Sequence, residues 1–285
     1  MKRIKLTDAN YYSLEANMQY MSASQFKSFR KCERAALAEL RGEIGKKEST
    51  ALLVGSYVDS YFGGELEQFK ADHPEIFKKD GTLKAEFEKA QAICERLNRD
   101  ELARLLLSGG HQVIKTGKIA GVDYKAKFDS LLTAEQVEAI CKKFPEVRGI
   151  VPFGGAMIVD LKCMKDFEQV WDEDAGERVT FIEHWGYDIQ GAIYQHLDGR
   201  DAPFVIVGAT KEAATDIEAM YIPDDDLAFA LSEVEALSPR YDAIKRGEIE
   251  PVGCGKCAYC RNTKRLTGIK HYKQIEEVRE EEFLC

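Results

Sequence analysis

The order of residue patterns predicts an α/β protein with a mainly helical first part (1–110), a sheet-forming middle (111–222) and a last part (223–285) made of a helix and a cysteine-rich cap. Three observations carry this. Residues 22–40 and 83–107 repeat apolar side chains at helical spacing, residues 111–132 and 156–163 change to strand period, and residues 202–208 form a continuous apolar strand. Helices before and after a sheet imply a layered arrangement rather than a bundle. A chain of 285 residues can bury one large core, so 1–285 is read as a single main domain.

From Ser22 to Leu40 the segment SASQFKSFRKCERAALAEL predicts a helix, with Ser22 or Ser24 as cap and Phe26, Phe29, Ala36, Leu37 and Leu40 as its apolar stripe. A second helix is expected over Ala51 to Phe62. The segment from Glu65 to Lys79 starts as a helix and turns to loop at His73-Pro74, and a longer helix from Leu83 to Leu107 is stopped by Ser108-Gly109-Gly110. The period then changes. His111 to Leu132 reads as two strands around a turn between Gly117 and Gly121, with Tyr124, Ala126 and Phe128 on one face and Lys125, Lys127 and Asp129 on the other.

Thr133 to Lys143 is expected to be helical, and Ala156 to Cys163 a short apolar strand that turns Ile158, Asp160 and Lys162 to one face. A helix from Phe181 to Leu197 carries Gln190 and Tyr194 at i and i+4, hence on one side. The strand Ala202 to Gly208 has Asp216 to Ile222 as its expected neighbour. Pro223, followed by Asp224, Asp225 and Asp226, opens a final helix through Arg246.

Composition narrows the function classes. A net charge of -9 argues against a generic DNA coat, whose affinity for phosphates comes from Lys and Arg, but it is compatible with a carboxylate-lined nuclease pocket. No stretch of about 18 apolar residues exists and the N-terminal residues lack a signal-peptide run, so a cytoplasmic protein without membrane contact is expected.

The chemistry lies in Phe128-Asp129, then Val159-Asp160-Leu161-Lys162, then Gln190-Gly191-Ala192-Ile193-Tyr194. Asp-x-Lys alone is weak, and Asp123-Tyr124-Lys125 is a second match. Asp160 is preferred because the apolar run Met157-Ile158-Val159 fixes it on a strand, whereas Asp123 follows a turn. With Asp129 ahead of it and Gln190 and Tyr194 behind, the chain resembles the PD-(D/E)xK nuclease superfamily. It is most similar to the branch with a Q-x-x-x-Y helix, which includes RecB-type nuclease domains and RecE-like phage or prophage exonucleases (exodeoxyribonuclease VIII). SASQFKSFRKC is similar to the helix that opens many members, and Gly55-Ser56-Tyr57-Val58-Asp59 sits where they often carry G-x-x-x-H. Two departures stand out. Asp59 replaces the usual histidine, and Asp129 and Asp160 are 160 − 129 = 31 residues apart, an interval that holds the helix Thr133 to Lys143.

The resemblance implies a restriction-endonuclease-like core, a central mixed sheet flanked by helices, and hydrolysis of phosphodiester bonds in linear duplex DNA from its ends. It implies Mg²⁺ or Mn²⁺ on Asp129, Asp160, the Leu161 carbonyl and Asp59, with Lys162 at the reacting water or phosphate. Gln190 and Tyr194 would hold the DNA backbone or the lysine, and Lys125 and Lys127, on the Asp129 face, would steer phosphates inward. A single-strand annealing protein is the implied partner, and a ring-shaped homo-oligomer and a role in phage recombination are implied with it. Polarity of digestion, endonucleolytic action and preference for DNA over RNA stay open.

Cys254, Cys257 and Cys260 follow Cys-x2-Cys-x2-Cys spacing, which in a reducing compartment suits a [4Fe-4S] cluster ahead of zinc, with free thiols as the alternative. Relatives of this branch are similar in placing one cysteine before the core, and this implies Cys32 as fourth ligand. Cys94, Cys141 and Cys163 read as core residues and Cys285 as a tail. Arg261, Lys264, Arg265, Lys270 and His271 make a basic stretch that either touches DNA or is solvated. The competing readings are a catalytically silent DNA-binding module stabilised by its cysteine site, and an unrelated α/β enzyme with structural zinc.

Overall fold

The computed structural model describes residues 3–45, 49–151, 155–173, 176–199, 201–269 and 271. Lys270, the glutamates after it and Cys285 lie outside the described residues. The N-terminal part is helical: α1 (Leu14–Gln19), α2 (Ala23–Lys31), α3 (Glu33–Leu40), α4 (Thr50–Phe62), α5 (Leu66–Asp72), α6 (Ala85–Arg99) and α7 (Glu101–Leu106). Two expected helices prove to be pairs. The first is interrupted at Cys32, whose backbone is extended at φ -167. Asp100 interrupts the second, and its carboxylate caps α7 by accepting from the Ala103 N–H. Apolar periodicity continues through both breaks, so it cannot reveal them. Ser22, of the two candidate caps, accepts from Gln25 N–H at 3.3 Å.

The middle supplies β1 (Gly110–Ile119), β2 (Val122–Leu132), α8 (Ala134–Lys143), β3 (Met157–Met164), a small hairpin β4 (Val170–Asp172) and β5 (Glu177–Val179), then α9 (Phe181–Trp185), α10 (Tyr187–Asp198), β6 (Phe204–Thr210) and β7 (Ile217–Tyr221). Gly186, at φ 62, divides the expected Phe181–Leu197 helix into α9 and α10. The hairpin and the short α1 were not legible, since three-residue strands and one-and-a-half turns are too short for a period to register. The chain ends in α11 (Asp224–Lys245) and α12 (Ala258–Thr263).

The main sheet has the order β1-β2-β3-β6-β7. β2 runs antiparallel to β1 and β3, β3 and β6 are parallel, and β7 is antiparallel to β6, so the sheet is mixed, as expected. β6 is buried along its whole length, which explains its unbroken apolar sequence. One face carries Ile158, Phe204 and Ile206 against α2, α10 and α11. The other carries Met157, Val159, Val205 and Val207 against α4, α6 and α8. Helix α10 lies close on β6, because a Cβ at Gly191 would come within 2.6 Å of the Phe204 ring. Among the described residues no helix is long and apolar enough to cross a membrane.

The β1–β2 ladder departs from period two at one place. Its register runs from Gly110↔Leu131 to Ile119↔Val122 with the Gln112–Asp129 rung left out, and Gln112 has φ 52. Phe128 and Leu131, three residues apart, both pack on the first core, whereas Ser130 hydrogen-bonds Leu106 O and Leu132 joins the second core. The strand therefore changes face at Asp129. This corrects the expectation that Asp129 lies opposite Phe128 and beside Lys125 and Lys127, which assumed unbroken alternation.

Candidate active site

Asp160 sits at the centre of β3 with its side chain 2% exposed, and its neighbour Lys162 is 21% exposed. Strand period puts both on the face of Ile158, as read from sequence, and the Lys162 ammonium lies against Asp160 Oδ2. Gln190 Nε2 donates to the other oxygen, Asp160 Oδ1, at 2.7 Å. The close approach of α10 at Gly191 is what brings this amide within reach. Gln190 thus holds the carboxylate, where the expectation was the DNA backbone or the lysine. Tyr194, one turn on, donates its hydroxyl to Lys127 O at 3.2 Å and stacks near Phe128, with ring centroids 4.8 Å apart, so it ties α10 to β2.

The irregular rung turns Asp129 towards β3, where its Oδ2 accepts from the Leu161 N–H at 2.9 Å. The Leu161 carbonyl lies 3.5 Å from Lys162 Nζ. Asp59 arrives from α4, and its Oδ2 accepts from Gln112 Nε2 at 3.3 Å. Each of the three carboxylates therefore has one oxygen anchored by a separate donor. The second oxygen of Asp160 is buried and has no aligned hydrogen bond.

Electrostatics show what this arrangement lacks. Burial, then the Asp160 and Asp59 charges, push the Asp129 carboxyl well above the usual range. Burial also raises Asp59, with Lys162 opposing and Asp160 adding to the rise. For Lys162, burial favours the neutral amine, but Asp160 and Asp129 outweigh it and hold the ammonium above the ordinary lysine range. Crowded buried carboxylates with one oxygen each anchored fit a hard divalent cation, which takes oxygen ligands and would offset the repulsion. Asp59, Asp129, Asp160 and the Leu161 carbonyl are the residues that could hold it.

Sequence reasoning missed three residues. Lys27 on α2 donates to Trp185 O at 3.1 Å, and burial followed by the Lys162 charge lowers it to about 8. The ammonium groups of Lys27 and Lys162 each lie 5.5 Å from the centroid of the Tyr187 ring. Tyr187 precedes Gln190 by three residues on α10, so i, i+3 spacing was a usable signal for it. Lys27 and Gln112 carried none.

Lys125 does not reach the site. It is 1% exposed, donates to Tyr11 O and to Asn17 Oδ1 at 2.7 Å, and burial lowers it to about 8. It fastens the N-terminal segment and cannot steer phosphates. Lys127 pairs with Asp8 at 3.1 Å, its side chain 12% exposed, beside the rings of Tyr11 and Tyr12. Any phosphate there would have to displace Asp8.

The cysteines converge from both ends of the chain. Cys32, in the break between α2 and α3, has its sulfur 3.6 Å from Cys260 and 3.8 Å from Cys257, and with Cys254 the four sulfurs all lie within 4.8 Å of one another. Those separations are far beyond a disulfide. Backbone N–H groups point at the sulfurs: Cys254 N–H at Cys32, Cys257 N–H at Cys254, and Cys260 N–H at Cys257. Burial opposes thiolate formation at Cys254, but the amides around it outweigh this and lower its thiol to about 7. The set can hold a metal. Cys94 and Cys141 are buried apart from it, as expected of core residues, and Cys163 is half-buried on β3.

A model of a family described as a PDDEXK-like domain of unknown function (DUF3799) matches residues 22–141 and 153–263. A solved structure named "Putative exonuclease", from Eubacterium rectale, is similar over 96% of this chain and 98% of its own, at 40% identity and a TM-score of 0.81. No curated protein matches.

Proposed function

The chain belongs to this PDDEXK-like family, whose fold, with the exonuclease description of the solved neighbour, supports a nuclease; from that premise we propose a divalent-metal-dependent exonuclease on linear duplex DNA. The observation that carries the reading is the grouping of Asp59, Asp129 and Asp160, near enough for their charges to act on one another, with Lys162 against Asp160. Bound Mg²⁺ or Mn²⁺ supplies an activated water and compensates charge on the phosphate. Asp160, held by Gln190, and Asp129, held by the Leu161 amide, would hold that ion in a fixed place. Lys162, whose ammonium lies against Asp160, would place a positive charge beside the developing anion. The resemblance to RecE-like enzymes further suggests resection in phage-type recombination, ahead of a single-strand annealing protein, and a closed-ring oligomer.

The intact set of three carboxylates and a lysine favours this over a silent DNA-binding module. For the cysteine site the sulfur spacing favours one ion. Four thiolates around zinc at about 2.3 Å stand about 3.8 Å apart, whereas on a [4Fe-4S] cube each thiolate sits on its own iron and they spread wider. Separations from 3.6 Å up to 4.8 Å are nearer to one shared ion and support zinc over the cluster that the spacing in sequence suggested.

The test is incubation of the full chain with linear, circular and 5′- or 3′-labelled DNA in Mg²⁺. The expected result is loss of linear duplex from its ends, abolished in Asp160→Ala and in Lys162→Ala while both keep the wild-type circular dichroism spectrum. Undiminished degradation by both variants would remove the proposal.

A further inference from the structure

Among the described residues three non-glycine residues have positive φ: Gln112 at 52, Ala120 at 47 and Asp201 at 50. Ala120 turns the β1–β2 hairpin and Asp201 lies in the segment before β6, where such backbone is ordinary. Gln112 is inside a strand, where a side chain in the left-handed region costs energy and persists only if its surroundings impose it. Opposite it the ladder lacks a rung, and the residue across that gap is Asp129.

The neighbourhood is built to keep this irregularity. Asp129 O, released from the ladder, accepts from His111 Nδ1 at 3.2 Å. Ser130 accepts from the Gly109 N–H at 2.9 Å and donates to Leu106 O at 2.9 Å. Three side-chain or loop bonds thus replace what regular pairing would have provided. The consequence is directional: β2 changes face at this point, and the Asp129 carboxylate meets the Leu161 amide on β3. The side chain of the same Gln112 reaches the other way, to Asp59 on α4, 53 residues earlier in the chain. Among the described residues this amide is the one side-chain hydrogen bond Asp59 makes.

We propose that Gln112 is the positioning residue of the metal site, its left-handed backbone aiming Asp129 and its amide orienting Asp59. The inference rests on the metal-dependent nuclease reading above. Neither Asp129 nor Asp59 is held on its ligand side by strand or helix geometry alone. One residue between them couples the sheet ligand to the helix ligand, so a change at Gln112 reaches the metal without touching it.

The experiment is a calorimetric titration of Mn²⁺ into the full chain. Gln112→Gly keeps the backbone conformation and deletes the amide. Its unfolding midpoint is expected to stay level or rise, while Mn²⁺ binds about 10-fold or more weakly, the lower bound for loss of a partner that orients a ligand. The Mn²⁺ concentration for half-maximal DNA cleavage should rise by the same factor. Gln112→Asn, which tolerates positive φ and keeps a shorter amide, should recover part of the affinity. In an Asp59→Ala background Gln112→Gly should cause no further loss, because the amide acts through Asp59. Gln112→Leu, which also disfavours positive φ, should bind more weakly than Gln112→Gly. Asp160→Ala serves as the control. Wild-type affinity in Gln112→Gly alongside lost binding in Asp160→Ala would overturn the positioning role and leave the metal reading standing. No Mn²⁺ binding by the wild type would take both down.

Discussion

Replacing Gln190 by leucine isolates one interaction on which the site depends. Its amide donates to Asp160 Oδ1 at 2.7 Å, with Gln190 8% and Asp160 1% exposed, so neither end of the bond can turn to water when the other is lost. Leucine preserves volume and helix propensity in α10. What remains is a buried carboxylate with Lys162 on one oxygen and nothing on the other. Leaving a charged acceptor unpaired costs roughly 2–3 kcal/mol. For a domain of this size that lowers the unfolding midpoint of metal-free protein by roughly 3–5 °C. The same bond orients a metal ligand, so Mn²⁺ affinity should fall roughly 10- to 100-fold. Differential scanning calorimetry with chelator, and again with a Mn²⁺ series, reads both effects. An unchanged metal-free midpoint together with unchanged Mn²⁺ affinity would refute the claim that Gln190 acts by holding Asp160.

Two further outcomes follow from groups outside the carboxylate site. Lys245 is buried, donates to Tyr20 O and Gln25, and burial with the nearby Lys125 charge lowers it to about 7. Because the folded value lies below the unfolded one, the unfolded state binds more protons between about 7 and the ordinary lysine value, so this group's contribution to stability rises with pH across that window. Denaturant midpoints of wild type minus Lys245→Met, measured from pH 6 to 10, should therefore increase; a flat difference would contradict the burial argument. Cys32→Ser removes the one thiol that links the C-terminal cysteines to the N-terminal helices, and elemental analysis should find about one equivalent of zinc in wild type and little in the variant, with a lower unfolding temperature. Iron and sulfide in place of zinc would reject the single-ion assignment.

Much of the site was legible because its chemistry follows local rules. Asp160 and Lys162 share a face by strand period, Gln190 and Tyr194 by helical spacing, and three of the four thiols sit within seven residues at 254–260. Lys125 failed for a reason that sequence does not contain. Its strand face was identified, but the N-terminal segment covers that face and its backbone carbonyl at Tyr11 takes the ammonium. Asp59 was placed by its position after Gly55, though nothing local said which atom would hold it.

The chain's own pattern thus determined the α/β order of elements, the Asp160–Lys162 pair and the candidate cysteines, since each depends on periodicity or short spacing. The tertiary structure alone decided the rest: that β2 changes face at Asp129, that Gln112 reaches Asp59, and that Lys27 stands beside Lys162, while Cys32, which the resemblance implied, meets Cys260 across 228 residues. The physical reason is the same in each case. Periodicity reports which way a side chain points from a regular element, and these residues act where an element is broken at Gln112 or Cys32, or where a distant segment packs against it.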